Sequence, residues 1–131
     1  MEAKAAARVW PRWLWLNALA LAFSLAHLLL DWHVGVFGAS SDSVSVLQGG
    51  LLVLIAAVYA WWGLSLATAG RGQRSGLVWL LILSAGWAFA GNGLAILACL
   101  PPCVFPYGDV THLGSLVFGG WAAYETWQAM R

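Results

Sequence analysis

Four apolar stretches, each long enough to cross a bilayer as a helix, take up most of this 131-residue chain. Spanning about 30 Å of hydrocarbon takes about 20 mainly apolar residues in an α-helix, and positions 13–33, 45–69, 77–100 and 109–130 each meet that requirement. Inside lipid every backbone N–H and C=O must be bonded within the protein, which leaves the helix as the economical solution for runs of this length. The breaks are marked by turn-forming residues: Gly35, Gly38 and the serine-rich segment 39–45, then Gly70 to Gly76 around Arg71 and Arg74, then Pro101-Pro102 through Pro106-Tyr107-Gly108. The expectation is an all-α fold, one four-helix transmembrane domain over 13–131 preceded by a short segment, 1–12. Connections this short make consecutive helices antiparallel neighbours.

Composition excludes the soluble alternatives. Apolar types make up 62% of the residues and charged types 8%, against roughly 45–50% and about 25% in soluble domains. A net charge of +1 and the absence of a Lys/Arg run argue against a nucleic-acid partner. The first apolar run, 13–30, exceeds the roughly 7–15 residues of a signal-peptide core and is read as a retained span.

All six Lys and Arg residues fall at one level of this arrangement: Lys4, Arg8 and Arg12 before the first span, Arg71 and Arg74 between the second and third, Arg131 at the end of the fourth. Basic residues concentrate in cytoplasmic loops, so both termini are expected in the cytoplasm, with the protein in a bacterial cytoplasmic (inner) membrane. Trp10, Trp13, Trp15, Trp61, Trp62, Trp79 and Trp127 fall near the same interface, where indoles serve as anchors. Small residues let membrane helices approach. Ala18, Ala22 and Ala26 form such a stripe on the first helix and Ser115 and Gly119 on the fourth, with Gly49-Gly50 and Gly91 and Gly93 on the others.

Polar residues gather at the opposite, outer level. His27, Asp31 and His33 lie late in the first span, Gln48 opens the second, Asn92 is late in the third, and Asp109 and His112 open the fourth. At about 1.5 Å rise per residue these positions share a layer near the outer interface. His27 and Asp31 are four apart and Asp109 and His112 three apart, so each pair shares a helix face. His33 points elsewhere, about 200° round the helix from Asp31. The outer half holds Asp31, Asp42 and Asp109 but no Lys or Arg, so a buried carboxylate there needs a proton, an imidazolium, a metal or a cationic ligand. Two imidazoles with two carboxylates suit Zn, Cu or Fe. Haem between His27 and His112 is a variant, and Gln48 and Asn92 are second-layer hydrogen bonders. Plainer roles stand beside these: Asp109 as a helix N-cap, His112 as a solvated interface residue, a local His27–Asp31 hydrogen bond, and Asn92 and Gln48 as interhelical glue. Cys99 and Cys103, outside the cytoplasm in this topology, are a disulfide, a Cu(I) pair or plain apolar cysteines.

The segment Asp109-Val110-Thr111-His112-Leu113-Gly114-Ser115 resembles the last helix of rhomboid intramembrane proteases, which carries their catalytic histidine ahead of a glycine. In Ala90-Gly91-Asn92-Gly93 an asparagine stands where those proteases place the nucleophilic serine. Their activity is therefore not carried over, and no catalysis is implied. Three functional classes result: an outward-facing His/Asp site for a metal or another cation, a non-catalytic accessory subunit that packs in a larger membrane complex and, behind these, thiol redox exchange through Cys99 and Cys103, which would normally need a second reactive pair. The small-residue stripes fit either that packing or a homo-oligomer.

Overall fold

The computed structural model describes residues 10–33, 46–93 and 108–131; side chains at 31–33, 46–49, 51, 93, 108 and 109 lie outside the description. Four helices make up the described chain: α1 (Arg12–His33), α2 (Val46–Gly70), α3 (Arg74–Ala85) and α4 (Gly108–Met130). A π-helical segment, Gly86–Gly93, continues α3 without a break in the helix. Three apolar stretches are long enough to cross a membrane: Arg12–Leu30, Leu52–Gly70 and Arg74–Asn92. The fourth helix is long enough, but its glycines, His112, Tyr124 and Glu125 make it less apolar.

The helices pack in the order α2, α3, α4, α1, with α1 closing loosely onto α2. The α1–α4 contact dominates, and α2 and α4 do not meet among the described residues. A Schellman turn sets up the α2–α3 pair. Gly72 adopts φ +82°, its N–H bonds to Ala69 O, and Gln73 N–H bonds to Thr68 O, the crossed pair that ends a helix at a left-handed residue. Two residues into α3, a Cβ on Gly76 would lie 2.3 Å from the Ala69 nitrogen. Only glycine allows α3 to start so close to the end of α2.

The α1–α4 pair is tied at the end carrying Arg12, Arg71, Arg74 and Arg131, called here the basic end. Asn17 Nδ2 donates to Thr126 Oγ1 and to Trp13 O, both at 2.8 Å. Arg12 meets Glu125 at 3.5 Å and lies over the Trp121 ring. Nearer the middle, Phe23 stacks on Phe118 at 5.1 Å. The apolar core consists of Leu16, Ala20, Trp62, Ala69, Leu80 and Ala122.

Two expectations from the sequence are corrected here. Trp62 is not an interface anchor: it is fully buried in the core. Consecutive residues differ by about 100° round a helix, so Trp61 faces outward, edge-on to Trp79 at 5.2 Å, while Trp62 joins the inward face with Tyr59, Ser65 and Ala69. Nor is the alanine stripe the packing face of α1. Ala22 and Ala26 are exposed, and the buried face runs through Leu16, Asn17, Ala20, Ser24 and His27. Among the candidate small-residue contacts, Ser115 and Gly119 on α4 are buried, whereas Gly50 is exposed.

Candidate functional site

Among the described residues the buried stripe of α1 reaches His27, about 22 Å along the helix from Arg12. On α4, His112 lies one turn before buried Ser115. The tight α1–α4 packing brings the two rings together, with centroids 3.8 Å apart and planes at 53°. Gly114 makes the approach possible, since a Cβ there would lie 2.9 Å from Phe23.

Asn92 arrives from the third direction by way of the π-helix. The residues α3 buries are Gly76, Leu80 and Ser84, and the π-segment adds Ala88 and Asn92, a spacing of four throughout. In an α-helix each step of four overshoots a turn by about 40°, so the stripe drifts sideways. A π-helix closes its bonds at i→i+5 and holds more residues per turn, so a step of four falls short and cancels the drift. The wider turn thereby returns Asn92 to the interior.

Once there, Asn92 has one clear role. Its Nδ2 donates to Trp87 O at 2.8 Å, so Oδ1 is the acceptor for His112 Nδ1, 2.9 Å away. That places the His112 proton on Nδ1 and, in the neutral ring, the lone pair on Nε2. His27 Nδ1 is hydrogen-bonded to Thr111 Oγ1 at 2.8 Å, the donor depending on the tautomer.

These groups face a chamber of about 150 Å³ to which all four helices contribute: His27 and Leu28, Ile55 and Tyr59, Trp87, Gly91 and Asn92, and His112. Tyr59 OH donates to Ser24 O at 2.9 Å, tying α2 to α1. The Tyr59 ring meets Trp87 edge-on at 5.6 Å, and Trp87 rests against Gly91, where a Cβ would sit 3.4 Å from the indole. The Trp87 Nε1–H is buried with no hydrogen-bond partner among the described residues, although buried donors are normally satisfied.

Of the residues singled out from sequence, the fold brings His27, His112 and Asn92 together. Asp31 lies on α1 one turn beyond His27, and Asp109 on α4 one turn before His112. Their side chains lie outside the described residues, as do those of Gln48 and His33 and the whole of Cys99 and Cys103. Among the described residues, no group of three or more His, Cys, Asp or Glu converges. Tyr59 and Trp87 were not identifiable from sequence as parts of the chamber, nor Thr111 as the partner of His27. Thr111 adjoins His112, but neither Tyr59 nor Trp87 has a polar neighbour in sequence to mark it. Comparison with protein-family models, with curated proteins and with solved structures returns no match, so the chemistry of the chamber is the basis for a functional reading.

Proposed function

We propose that the protein is a four-span membrane bundle with both termini in the cytoplasm, and that its outward-facing chamber binds a divalent transition metal, zinc or copper, through His27 and His112. The observation that carries the reading is the imidazole pair at 3.8 Å, one ring oriented by Asn92. Metal-bound histidines characteristically donate their other ring N–H to an oxygen, which fixes the tautomer and the ring direction. Imidazole suits zinc and copper. In this reading Asp31 and Asp109, one turn further out along α1 and α4, are the carboxylate ligands, Gln48 is a hydrogen bonder and Cys99 and Cys103 are soft ligands, all of them side chains outside the described residues.

The ring spacing of 3.8 Å is shorter than either a single ion or haem requires. With metal–nitrogen bonds of about 2 Å, however, ligands on one side of a single ion stand closer together than axial ligands on opposite faces of a macrocycle, so a single ion calls for the smaller ring movement. A second reading, the non-catalytic accessory subunit, draws on the exposed Ala22 and Ala26, a small-residue face open to another membrane helix.

Elemental analysis of protein purified in mild detergent separates the two. The metal reading expects about one equivalent of zinc or copper, with His27→Ala and His112→Ala each removing most of it and the double variant losing little more, because either loss destroys the site. Metal-free protein, co-purifying larger subunits and additive stability losses insensitive to chelator would put the accessory reading in its place.

A further inference from the structure

A second cavity lies toward the basic end, where α2 leans on α3 and only loosely on α1. It is a groove of about 530 Å³ between α1 and α2, walled by Leu14 and Ala18 on one side and by Gly63, Leu66 and Ala67 on the other. The groove is narrow where Leu14 approaches Gly70, at which a Cβ would lie 3.9 Å from Leu14 Cδ2, and open at Gly63, where a Cβ would meet nothing within 4 Å. From Gly63 to Gly70 it runs about 10 Å along the helix, two-thirds of a leaflet of about 15 Å.

We propose that this groove holds an acyl chain of an anionic phospholipid whose headgroup phosphate is bound by Arg71 and Arg74. The walls named are wholly apolar, and both helices are long and apolar enough to cross a bilayer, so the groove lies at hydrocarbon depth. The groove, about 530 Å³ in volume and about 10 Å long, has room for the part of an acyl chain that would run along it. Charge selects the headgroup. Arg71 directly follows Gly70 at the mouth, and both Arg71 and Arg74 are exposed. Neither has a carboxylate partner among the described residues, where the ion pair is Arg12–Glu125. Guanidinium groups bind phosphate oxygens through paired hydrogen bonds, and basic residues at a membrane surface favour anionic lipid.

Native mass spectrometry tests this on protein equilibrated with equal amounts of phosphatidylglycerol and phosphatidylcholine bearing the same chains. The wild type should retain one lipid, with phosphatidylglycerol preferred by about tenfold. The double variant Arg71→Gln with Arg74→Gln should bring the preference close to one while retaining lipid. Gly63→Leu, which places its side chain in open space, should remove the lipid without lowering the melting temperature. If Gly63→Leu expresses poorly, Ala67→Leu on the same wall reads the same outcome. A wild type that retains no lipid, equal retention of both lipids, or lipid surviving in the filled groove would each overturn the proposal. So would a dimer that Gly63→Leu converts to monomer, which would mean that a second copy of the chain occupies the groove.

Discussion

His112 and Asn92 meet through one hydrogen bond at 2.9 Å, and its direction is set by the neighbouring bond from Asn92 Nδ2 to Trp87 O. Because the amide donor is committed, Oδ1 has to accept, and the imidazole has to present N–H on that side. Asn92 is thus a positioning residue whose removal should act on the ring's orientation more than on the fold. On the proposed metal reading, Asn92→Ala weakens metal affinity by about 10- to 100-fold, the usual effect of losing such an orienting partner, while Asn92→Asp, which keeps an acceptor, should recover most of it. Competition titration against a chelator reads both. Equal losses in the two variants would contradict the orienting role. His27 Nδ1 is likewise hydrogen-bonded, to Thr111 Oγ1, but there the hydroxyl can donate or accept and does not fix the tautomer.

At the scale of helices, contacts between backbones decide the arrangement. On α4, a Cβ at Gly119 would lie 2.9 Å from Ala88 Cβ and 3.3 Å from Ser84 O, so α3 and α4 cross at a point that admits no side chain. Gly119→Leu should therefore destabilise the bundle by about 1–3 kcal/mol, the range for overpacking a close contact. Ala22→Leu, on the exposed face of α1, should change stability by less than about 0.5 kcal/mol. Unfolding in detergent with increasing denaturant measures both, and similar losses at the two positions would contradict the assigned packing face. The π-segment belongs to the same scale. By widening the helix just beyond Ala85 it keeps Ala88 against Gly119 and brings Asn92 to the histidines, so one backbone irregularity serves packing and site together.

At the scale of the whole molecule, two polar ties between α1 and α4 bracket the apolar core: Asn17–Thr126 toward the basic end and the His27–His112 layer beyond Phe23 and Phe118. Interhelical hydrogen bonds of this kind contribute about 0.6 kcal/mol each in membrane bundles, so they set register more than they supply stability. The proposed orientation rests on charge. With Arg12, Arg71, Arg74 and Arg131 at one end of the described helices, reporters fused after Arg74 and at Arg131 should read as cytoplasmic and one within 40–43 as external. An external reading at Arg131 would break the four-span arrangement.

The apolar run lengths, read from sequence alone, place helices over four stretches, of which three are long and apolar enough to cross a membrane in the structure, and the helices begin within a few residues of the expected points: α1 at Arg12, α2 at Val46, α3 at Arg74 and α4 at Gly108. The level of each polar residue along its helix was equally legible, because rise per residue is constant; hence His27, Asn92 and His112 were expected in one layer. Direction round the helix was not legible. A soluble helix marks its inward face by contrast with a polar one, but α2 is apolar all round, and lipid is as apolar as a protein core, so composition carries no inward label. Only the tertiary structure decided that Trp62 turns in while Trp61 turns out, that α1 buries Asn17, Ser24 and His27 in place of Ala22 and Ala26, and that Tyr59 and Trp87 wall the chamber. The inward face of α1 goes with the partners that Asn17 and His27 find on α4, and the close helix crossings with the points where glycine lets two backbones touch; both depend on pairs of residues far apart in the chain.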